Sequence, residues 1–229
     1  MAGDIDKQTM AKAYARWAPV YDLVFGAVFE RGRMASIEAA ERACPAGGRI
    51  LDVGVGTGIS LKDYSRSNRL TGVDYSEPML RKAAERVAEF KLDNVEALAV
   101  MDAKHLGFPD NFFDVVVAQY VITAVPEPEA TLDEFARVLK PGGEIVLVNH
   151  IGAETGLRRA FERWFSPVAR RLGWRPEFPF ARLKTWAERS PGVELIERRP
   201  MPPLGHFSLI RFGKNGVAAT QSRPALSAT

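Results

Sequence analysis

The chain is short of cysteine, of histidine and of long apolar runs, and each shortage removes a class of function. Cys44 is the single cysteine among 229 residues, so no disulfide can form within the chain, and a reducing compartment is the simple reading. His105, His150 and His206 are too scattered to make a zinc site, so no metal is expected. No run of about 18 apolar residues occurs, which predicts that nothing spans a bilayer. Met1 to Gln8 mix acids with polar residues and lack the apolar centre of a signal peptide. Neither an internal repeat nor a second core is apparent, and 46% hydrophobic residues suit one domain. That domain is expected over residues 1–212. Gly213 to Thr229, small and polar, is expected to be a disordered tail.

Against these shortages stands one dense segment, Ile50-Leu51-Asp52-Val53-Gly54-Val55-Gly56-Thr57-Gly58. An apolar run ends in an acid and breaks into three glycines two residues apart. This predicts a buried strand, a tight loop and a helix starting near Thr57. Gly54 and Gly56 allow backbone angles and a close ligand approach that a Cβ would forbid. A dinucleotide fingerprint, G-x-G-x-x-G, would place its third glycine at position 59, which is Ile59. The spacing suits a nucleoside carrying an amino acid better than one carrying a pyrophosphate.

The flanking order supports a ligand. Leu70 to Asp74 is a second apolar strand ending in an acid, 18 residues after Gly56; an acid there can accept both ribose hydroxyls. Val95 to Met101, Phe112 to Ala118 and Glu144 to Asn149 give three more strands, the first followed by Asp102. Three acids, Asp52, Asp74 and Asp102, thus fall at strand carboxyl ends, the edge where open α/β sheets bind ligands. Between strands, Ser76 is placed as the N-cap of a helix with Leu80, Ala83, Ala84 and Val87 on one face and Pro78 in its first turn. A second helix, about Glu127 to Val138, carries Leu132, Phe135, Ala136 and Leu139 and ends before Pro141-Gly142-Gly143. The alternation predicts a parallel α/β sheet.

The succession LDVGVGTG, LTGVDYS, VMDAKHLGFPDNFFDVVVAQYV and LKPGG before EIVLVNH resembles the class I S-adenosylmethionine-dependent methyltransferases over roughly residues 48–150. The resemblance implies a Rossmann-like, seven-stranded mixed sheet with helices on both faces. It places Gly54, Gly56 and Gly58 along the methionine part of the cofactor, with Asp52 compensating its ammonium. It sets Asp74 on the ribose, Tyr75, Met79 and Met101 beside the adenine, and Asp102 with Ala103 at its amino group. Gln119 and Tyr120 then lie near the reacting methyl.

Two regions are basic or aromatic beyond what a sheet requires. Thr155 to Trp186 holds eight cations against Glu162 and Glu177, a net +6, whereas the whole chain is +3. At about 100° per residue, Leu157, Phe161, Trp164, Phe165, Val168 and Leu172 share a direction, with Arg159, Arg163 and Arg170 nearly opposite and Arg171 adjoining. Trp174, Phe178, Phe180 and Trp186 follow. Such a stretch, part of a basic aromatic insertion at 151–190, reads as a membrane-surface element; the plain alternative is an amphipathic helix packed on the sheet, interrupted at Pro167. Met10, Tyr14, Trp17 and Tyr21 form a helical stripe followed by Leu23 to Phe29, which predicts N-terminal helices over 1–35 acting as lid, membrane contact or both. Nucleic acid fits poorly. The position after the fourth strand reads Gln119-Tyr120-Val121-Ile122 rather than an Asn/Asp/Ser-Pro-Pro-aromatic motif, and Cys44 precedes the first strand.

Within the methyltransferases, Tyr14 to Asp22 (YARWAPVYD), Tyr120 to Pro126 (YVITAVP) and Val148-Asn149-His150 resemble the bacterial phosphatidylethanolamine N-methyltransferases of the soluble, peripheral-membrane type. The first motif is shared loosely with quinone C-methyltransferases. The resemblance implies S-adenosylmethionine as cofactor and a phospholipid amine as substrate. It also implies an anionic membrane surface as partner, a cytoplasmic location at the membrane's inner face, and no obligate protein partner. The amine must lose a proton before it attacks, and Tyr21, Tyr120 and His150 are the candidate relays. Tyr14, Trp17, Tyr21 and Tyr120 are candidates for an aromatic cage around methylated ammonium, and the resemblance also implies Tyr14 as a contact of the cofactor. Two rivals stay open: a methyltransferase acting on a quinone precursor or other small apolar molecule, and a cofactor-binding membrane sensor without turnover.

Overall fold

Short runs of branched apolar residues make the strands, and glycine, proline and serine set the turns between them. The computed structural model describes residues 29–152, 178–202, 205 and 207–215. Strands β1 (Arg49–Val53), β2 (Arg69–Asp74), β3 (Val95–Val100), β4 (Phe113–Gln119) and β5 (Leu139–His150) pair in parallel. β7 (Phe207–Lys214) runs antiparallel between β5 and β6 (Val193–Met201), giving a seven-stranded sheet of order β3-β2-β1-β4-β5-β7-β6. The chain builds outward from β1 to β3, then returns to place β4 on the other side of β1. That reversal opens a crevice at the carboxyl ends of β1 and β4, the usual ligand position in such sheets.

Helices cover both faces, as the resemblance implies. On one face α1 (29–43) and α2 (Glu77–Glu89) bury Ile37, Ala39, Ala40, Leu80 and Ala83 against Ile50, Val115, Val117 and Val146. On the other, α3 (Pro128–Val138) and α4 (Phe180–Arg189) set Leu132, Phe135, Leu183 and Trp186 on Leu51, Val116, Leu147 and Phe212. Each of the buried Val, Leu, Ile and Phe side chains contributes roughly 1.5–3 kcal/mol by leaving water. Arg211 ties the antiparallel strand in: its guanidinium meets both Glu144 oxygens at 2.8 and 2.9 Å and reaches Glu197 at 3.0 Å.

Several local expectations are corrected. No α-helix begins near Thr57; the loop turns twice and yields only a 3-10 turn, Leu61–Asp63. Gly58 is left-handed at φ +75°, which a helical first turn does not tolerate, and Ser65, Ser67 and Asn68 end the segment with poor helix formers. Ser76 is the N-cap position, but its side chain caps nothing; the Asp74 carboxylate takes its N–H instead. Ala84 is exposed. Pro141-Gly142-Gly143 does not precede the fifth strand but lies inside it. The pairing with β4 shifts register there, and a Cβ on Gly143 would press on the Asp114 carbonyl at 2.5 Å.

The aromatics after the insertion are core rather than membrane-facing. Phe178, Phe180 and Trp186 are buried, and Arg182 is bound bidentately by Glu129 at 2.7 and 2.6 Å. This part of the insertion is therefore a packed helix, α4. Likewise residues 29–35 belong to α1 and pack on the sheet, and Gly213 and Lys214, expected in the tail, complete β7. Arg159, Arg163, Arg170, Arg171, Tyr14, Trp17 and Tyr21 lie outside the described residues.

Trp186 is 1% exposed, and its indole N–H donates to Asp133 at 2.7 Å. Trp186→Ala should cost about 3–5 kcal/mol in urea unfolding, the range for emptying a large aromatic site. Trp186→Phe should lose about 1–2 kcal/mol, because Asp133 is solvent-accessible and keeps water as a partner. Equal losses in the two variants would show that the indole's hydrogen bond, not its volume, holds α4.

Candidate active site

The end of β1 and the end of β2 hold the glycine loop between them. Gly54 and Val55 donate their N–H groups to the Val73 carbonyl at 2.8 and 3.1 Å, so the loop leaves β1 already bound to β2. Gly54, Gly56 and Gly58 all have positive φ, but for different neighbours. A Cβ on Gly54 would overlap Val121, and one on Gly58 would meet Ala83 at 2.9 Å. A Cβ on Gly56 would meet nothing closer than 3.9 Å. Gly54 and Gly58 are thus glycines for packing, while Gly56 leaves open space on the loop's outer side.

Asp74, at the end of β2, anchors the loop. Its Oδ2 accepts Gly56 N–H at 2.9 Å, and its Oδ1 accepts Ser76 N–H at 2.8 Å. Burial raises its carboxyl above the usual range, against the pull of the Ser76, Gly56 and Tyr75 backbone N–H groups. Each oxygen keeps a further lone pair. Tyr75 and Val100 stand exposed beside it, Val100 being Asp74's register partner in β3. Met79 is buried below. Met101 is tied to the Asp74 carbonyl through its N–H at 3.0 Å. The Asp102 side chain accepts Lys104 N–H at 3.1 Å, which rounds the turn carrying Ala103. Five residues expected at a nucleoside, Tyr75, Met79, Met101, Asp102 and Ala103, therefore follow the ends of β2 and β3 around Asp74. Val100 was missed, because a strand-end valine reads as core in sequence.

Asp52 lies behind the loop, 1% exposed, with Tyr64 Oη–H donating to its Oδ2 at 3.3 Å. Burial pushes its carboxyl up to about 7; the Tyr64 hydrogen bond pulls it back, the Asp74 charge adds to the rise, and Arg33 opposes it. Gln119, at the end of β4, has both ends of its amide engaged. Ser60 Oγ–H donates to its Oε1 at 2.6 Å, and its Nε2–H donates to Ser36 at 3.0 Å. Arg33 of α1 meanwhile donates to the Ile59 carbonyl at 3.0 Å and pairs with Asp63. Gln119 thus fastens the loop to α1. Arg33, Ser36, Ser60 and Tyr64 carried no signal in sequence, since hydrogen-bonding residues scattered over two elements form no motif.

Tyr120 follows with φ +63°, a left-handed conformation that costs a non-glycine residue of order 1 kcal/mol or more. The turn aims its ring at Phe29, 4.3 Å between centroids, and at Phe207, 5.5 Å, and its hydroxyl donates to the Phe29 carbonyl at 2.9 Å. His150, the last residue of β5, lies edge-on to Phe207 at 6.2 Å. Phe29, Tyr120, His150 and Phe207 form an aromatic wall at the same sheet edge. No group of three or more acidic, histidine or cysteine side chains able to hold a metal occurs among the described residues.

A seven-stranded sheet with one antiparallel strand, a glycine loop after β1 and an acid ending β2 is the architecture of the class I methyltransferases. A family model described as a methyltransferase domain matches residues 51–147. The chain is 41% identical over 208 residues to a phosphatidylethanolamine N-methyltransferase of Cereibacter sphaeroides, covering 91% of this chain and 98% of that one. It is 30% identical to a ubiquinone/menaquinone biosynthesis C-methyltransferase of Cupriavidus taiwanensis, over 82% and 80% of the two chains. A chain from the complex between the Haloferax volcanii Trm112 methyltransferase activator and a methyltransferase shares the fold at a TM-score of 0.73 with 18% identity, over 91% and 99%. The chain belongs to the class I S-adenosylmethionine-dependent methyltransferases, in the family of the bacterial phosphatidylethanolamine N-methyltransferases.

The residues fit that cofactor. The open side of Gly56 can admit an amino-acid chain, Asp74 has acceptor capacity for two hydroxyls, and Tyr75 and Val100 offer exposed apolar surface beside it.

Burying an acid behind the loop has a consequence for stability. The Asp52 carboxyl ionises near 3.8 when unfolded and near 7 when folded. The raised value stabilises the folded chain below about pH 4, and this contribution is lost as pH rises to about 7, an effect of roughly 4 kcal/mol. Asp52→Asn escapes it. In urea unfolding of the ligand-free protein, the variant's advantage over wild type should therefore widen from pH 5 to pH 8. A gap that is constant across this window would mean that Asp52 stays ionised throughout.

Proposed function

We propose that this chain transfers methyl groups from S-adenosylmethionine to the amine of phosphatidylethanolamine and its methylated intermediates, towards phosphatidylcholine, at a membrane surface. The end-to-end likeness to the Cereibacter sphaeroides enzyme carries this reading, and the aromatic wall beside the glycine loop is consistent with it. When bound, S-adenosylmethionine supplies an electrophilic methyl group on a sulfonium. The protein's share is binding, alignment and a dry edge.

In this reading Asp74 accepts the ribose hydroxyls while keeping its backbone donors. Tyr75, Met79, Met101, Asp102 and Ala103 border the adenine. Gly54, Gly56 and Gly58 shape the bed for the amino-acid chain, and Asp52 answers its ammonium. Gln119 acts through the loop that it fastens rather than by a free amide. Tyr120, with Phe29 and Phe207, offers ring faces to a partly methylated ammonium, worth about 0.5–2 kcal/mol per good contact. Tyr14, Trp17 and Tyr21 complete that cage, and Tyr21, Tyr120 or His150 relays the amine's proton. His150 can alternatively bond the lipid phosphate. Arg159, Arg163, Arg170 and Arg171 face anionic lipid, each worth about 1 kcal/mol there, and place the enzyme at the inner face of the cytoplasmic membrane. No helix among the described residues is long and apolar enough to cross a membrane.

Incubating the protein with methyl-labelled S-adenosylmethionine and vesicles containing phosphatidylethanolamine should place label in the phospholipid. Turnover should rise with anionic lipid and fall with salt. Label entering a quinone precursor instead would transfer the activity to the quinone C-methyltransferase reading. Asp74→Ala should weaken cofactor affinity at least tenfold in calorimetric titration, a loss of about 1.5–3 kcal/mol for charged hydrogen bonds. An unchanged affinity would remove Asp74 from the ribose.

A further inference from the structure

Tyr64 has no part in the reading above, yet its hydroxyl is bonded to the acid behind the glycine loop. Both partners are almost wholly buried, Tyr64 at 3% and Asp52 at 1% exposure. The 3.3 Å separation is long for an O–H···O bond, as it is for polar contacts that tighten on ligand binding. The ring reaches Asp52 through the 3-10 turn, which is bonded to the loop itself: Leu61 N–H meets the Gly58 carbonyl at 3.1 Å and Asp63 N–H the Ser60 carbonyl at 3.0 Å. The turn that carries Tyr64 is thus hydrogen-bonded to the glycine loop. The charged groups acting on the pair are Asp74 from the end of β2, and Arg33 and Glu41 from α1. Burial first, and then Asp52, hold the phenol protonated well above its usual range. Tyr64 is therefore the donor in this pair.

We infer that Tyr64 is a positioning residue for the amino-acid end of the cofactor: its hydroxyl orients Asp52 and favours the carboxylate form behind the glycine loop, so that binding a cationic ligand and ionising Asp52 are one coupled event. This rests on the S-adenosylmethionine reading. A buried carboxyl without a donor stays neutral and offers no charge to an ammonium. The Asp52 carboxyl lies near 7 with the donor in place. Near neutrality, then, a cationic ligand draws a proton off Asp52 as it binds, and the hydroxyl of Tyr64 sets how readily that proton leaves. The proton passes to solvent buffer, and no covalent bond other than O–H changes.

The test is calorimetric titration with S-adenosylhomocysteine, which keeps the same amino-acid end and undergoes no turnover. Wild type, Tyr64→Phe, Tyr64→Met and Asp52→Asn are compared from pH 6 to pH 8.5, in pairs of buffers differing in ionisation enthalpy. Wild-type Kd should fall about tenfold from pH 6 to pH 8 after correction for the ligand's own titration, with proton release at the acid end. Removing the hydroxyl should move this dependence up by about one pH unit. The variant-to-wild-type ratio of Kd, in which the ligand's own titration cancels, should then be about fivefold at pH 7 and under about twofold at pH 8.5. Asp52→Asn should bind more weakly, without the acid limb and without proton release.

A ratio constant across pH, or close to one throughout, in both Tyr64 variants would overturn the proposal, since packing alone gives no pH dependence. An acid limb that survives Asp52→Asn would assign the proton to another group and overturn it equally. Absence of S-adenosylhomocysteine binding by wild type at every pH would instead bring down the cofactor reading, and the proposal with it.

Discussion

The pairing of β1 with β2 on one side and β4 on the other governs nearly everything at the site. It sets Asp52 opposite Gly72 and Val117, and Val53 opposite Val73 and Ala118. The last residues of three strands thereby share one edge. Because β2 and β4 flank β1 on opposite sides, no crossover helix among the described residues covers that edge, and the glycine loop has space to project. The loop then donates its first hydrogen bonds to the Val73 carbonyl and its next to the Asp74 carboxylate. Slipping either pairing by one residue would reverse the facing of Asp52 and dismantle the loop's anchorage. The buried apolar residues of β1 and β4 hold the register; the chemistry sits in the residues just past them.

The loop is consequently less a free ligand cradle than a strut bonded on every side. Ser60 and Ser36 hold Gln119, Arg33 holds Ile59 and Asp63, Arg86 donates to Thr57 at 3.0 and 2.7 Å, and Tyr64 meets Asp52. Pre-ordering of this kind lowers the entropy lost when a ligand binds. The same framework holds Asp52 in its buried place, with Tyr64 as its hydrogen-bond donor and the Arg33 charge opposing the effect of burial.

Local signals were legible in sequence where a residue type answers to its own backbone. The strands β1 to β5, the acids that close them and the three glycines are of this kind, because apolar runs and positive φ are properties of single positions. The residues that answer to distant partners were not. Nothing near Arg33 or Ser36 announces that the first meets a loop more than twenty residues away and the second the Gln119 amide at the end of β4, and Tyr64 stands in a stretch, Ser-Arg-Ser-Asn after it, that reads only as turn. The aromatic-rich insertion misled for a related reason. Phe178, Phe180 and Trp186 look alike whether they face lipid or a sheet, and only the sheet-side partners, Phe212 and the residues of α3, decide between the two.

That correction sharpens the division of labour within the basic insertion. Arg182, clamped by Glu129 and lying over Phe178 at 5.2 Å, spends its charge inside the fold, and Lys184 lies 3.7 Å from Glu188. These two account for a quarter of the eight cations in the segment. The six arginines from Arg158 to Arg175 precede the packed helix, and with Glu162 and Glu177 they keep a net +4. That excess lies in the stretch of sequence that follows β5, whose last residue, His150, stands at the carboxyl-end edge of the sheet that also carries the glycine loop. In the proposed reaction this connection is what matters: the chain enters the basic segment from the carboxyl end of β5, the same end of the sheet from which the glycine loop leaves β1.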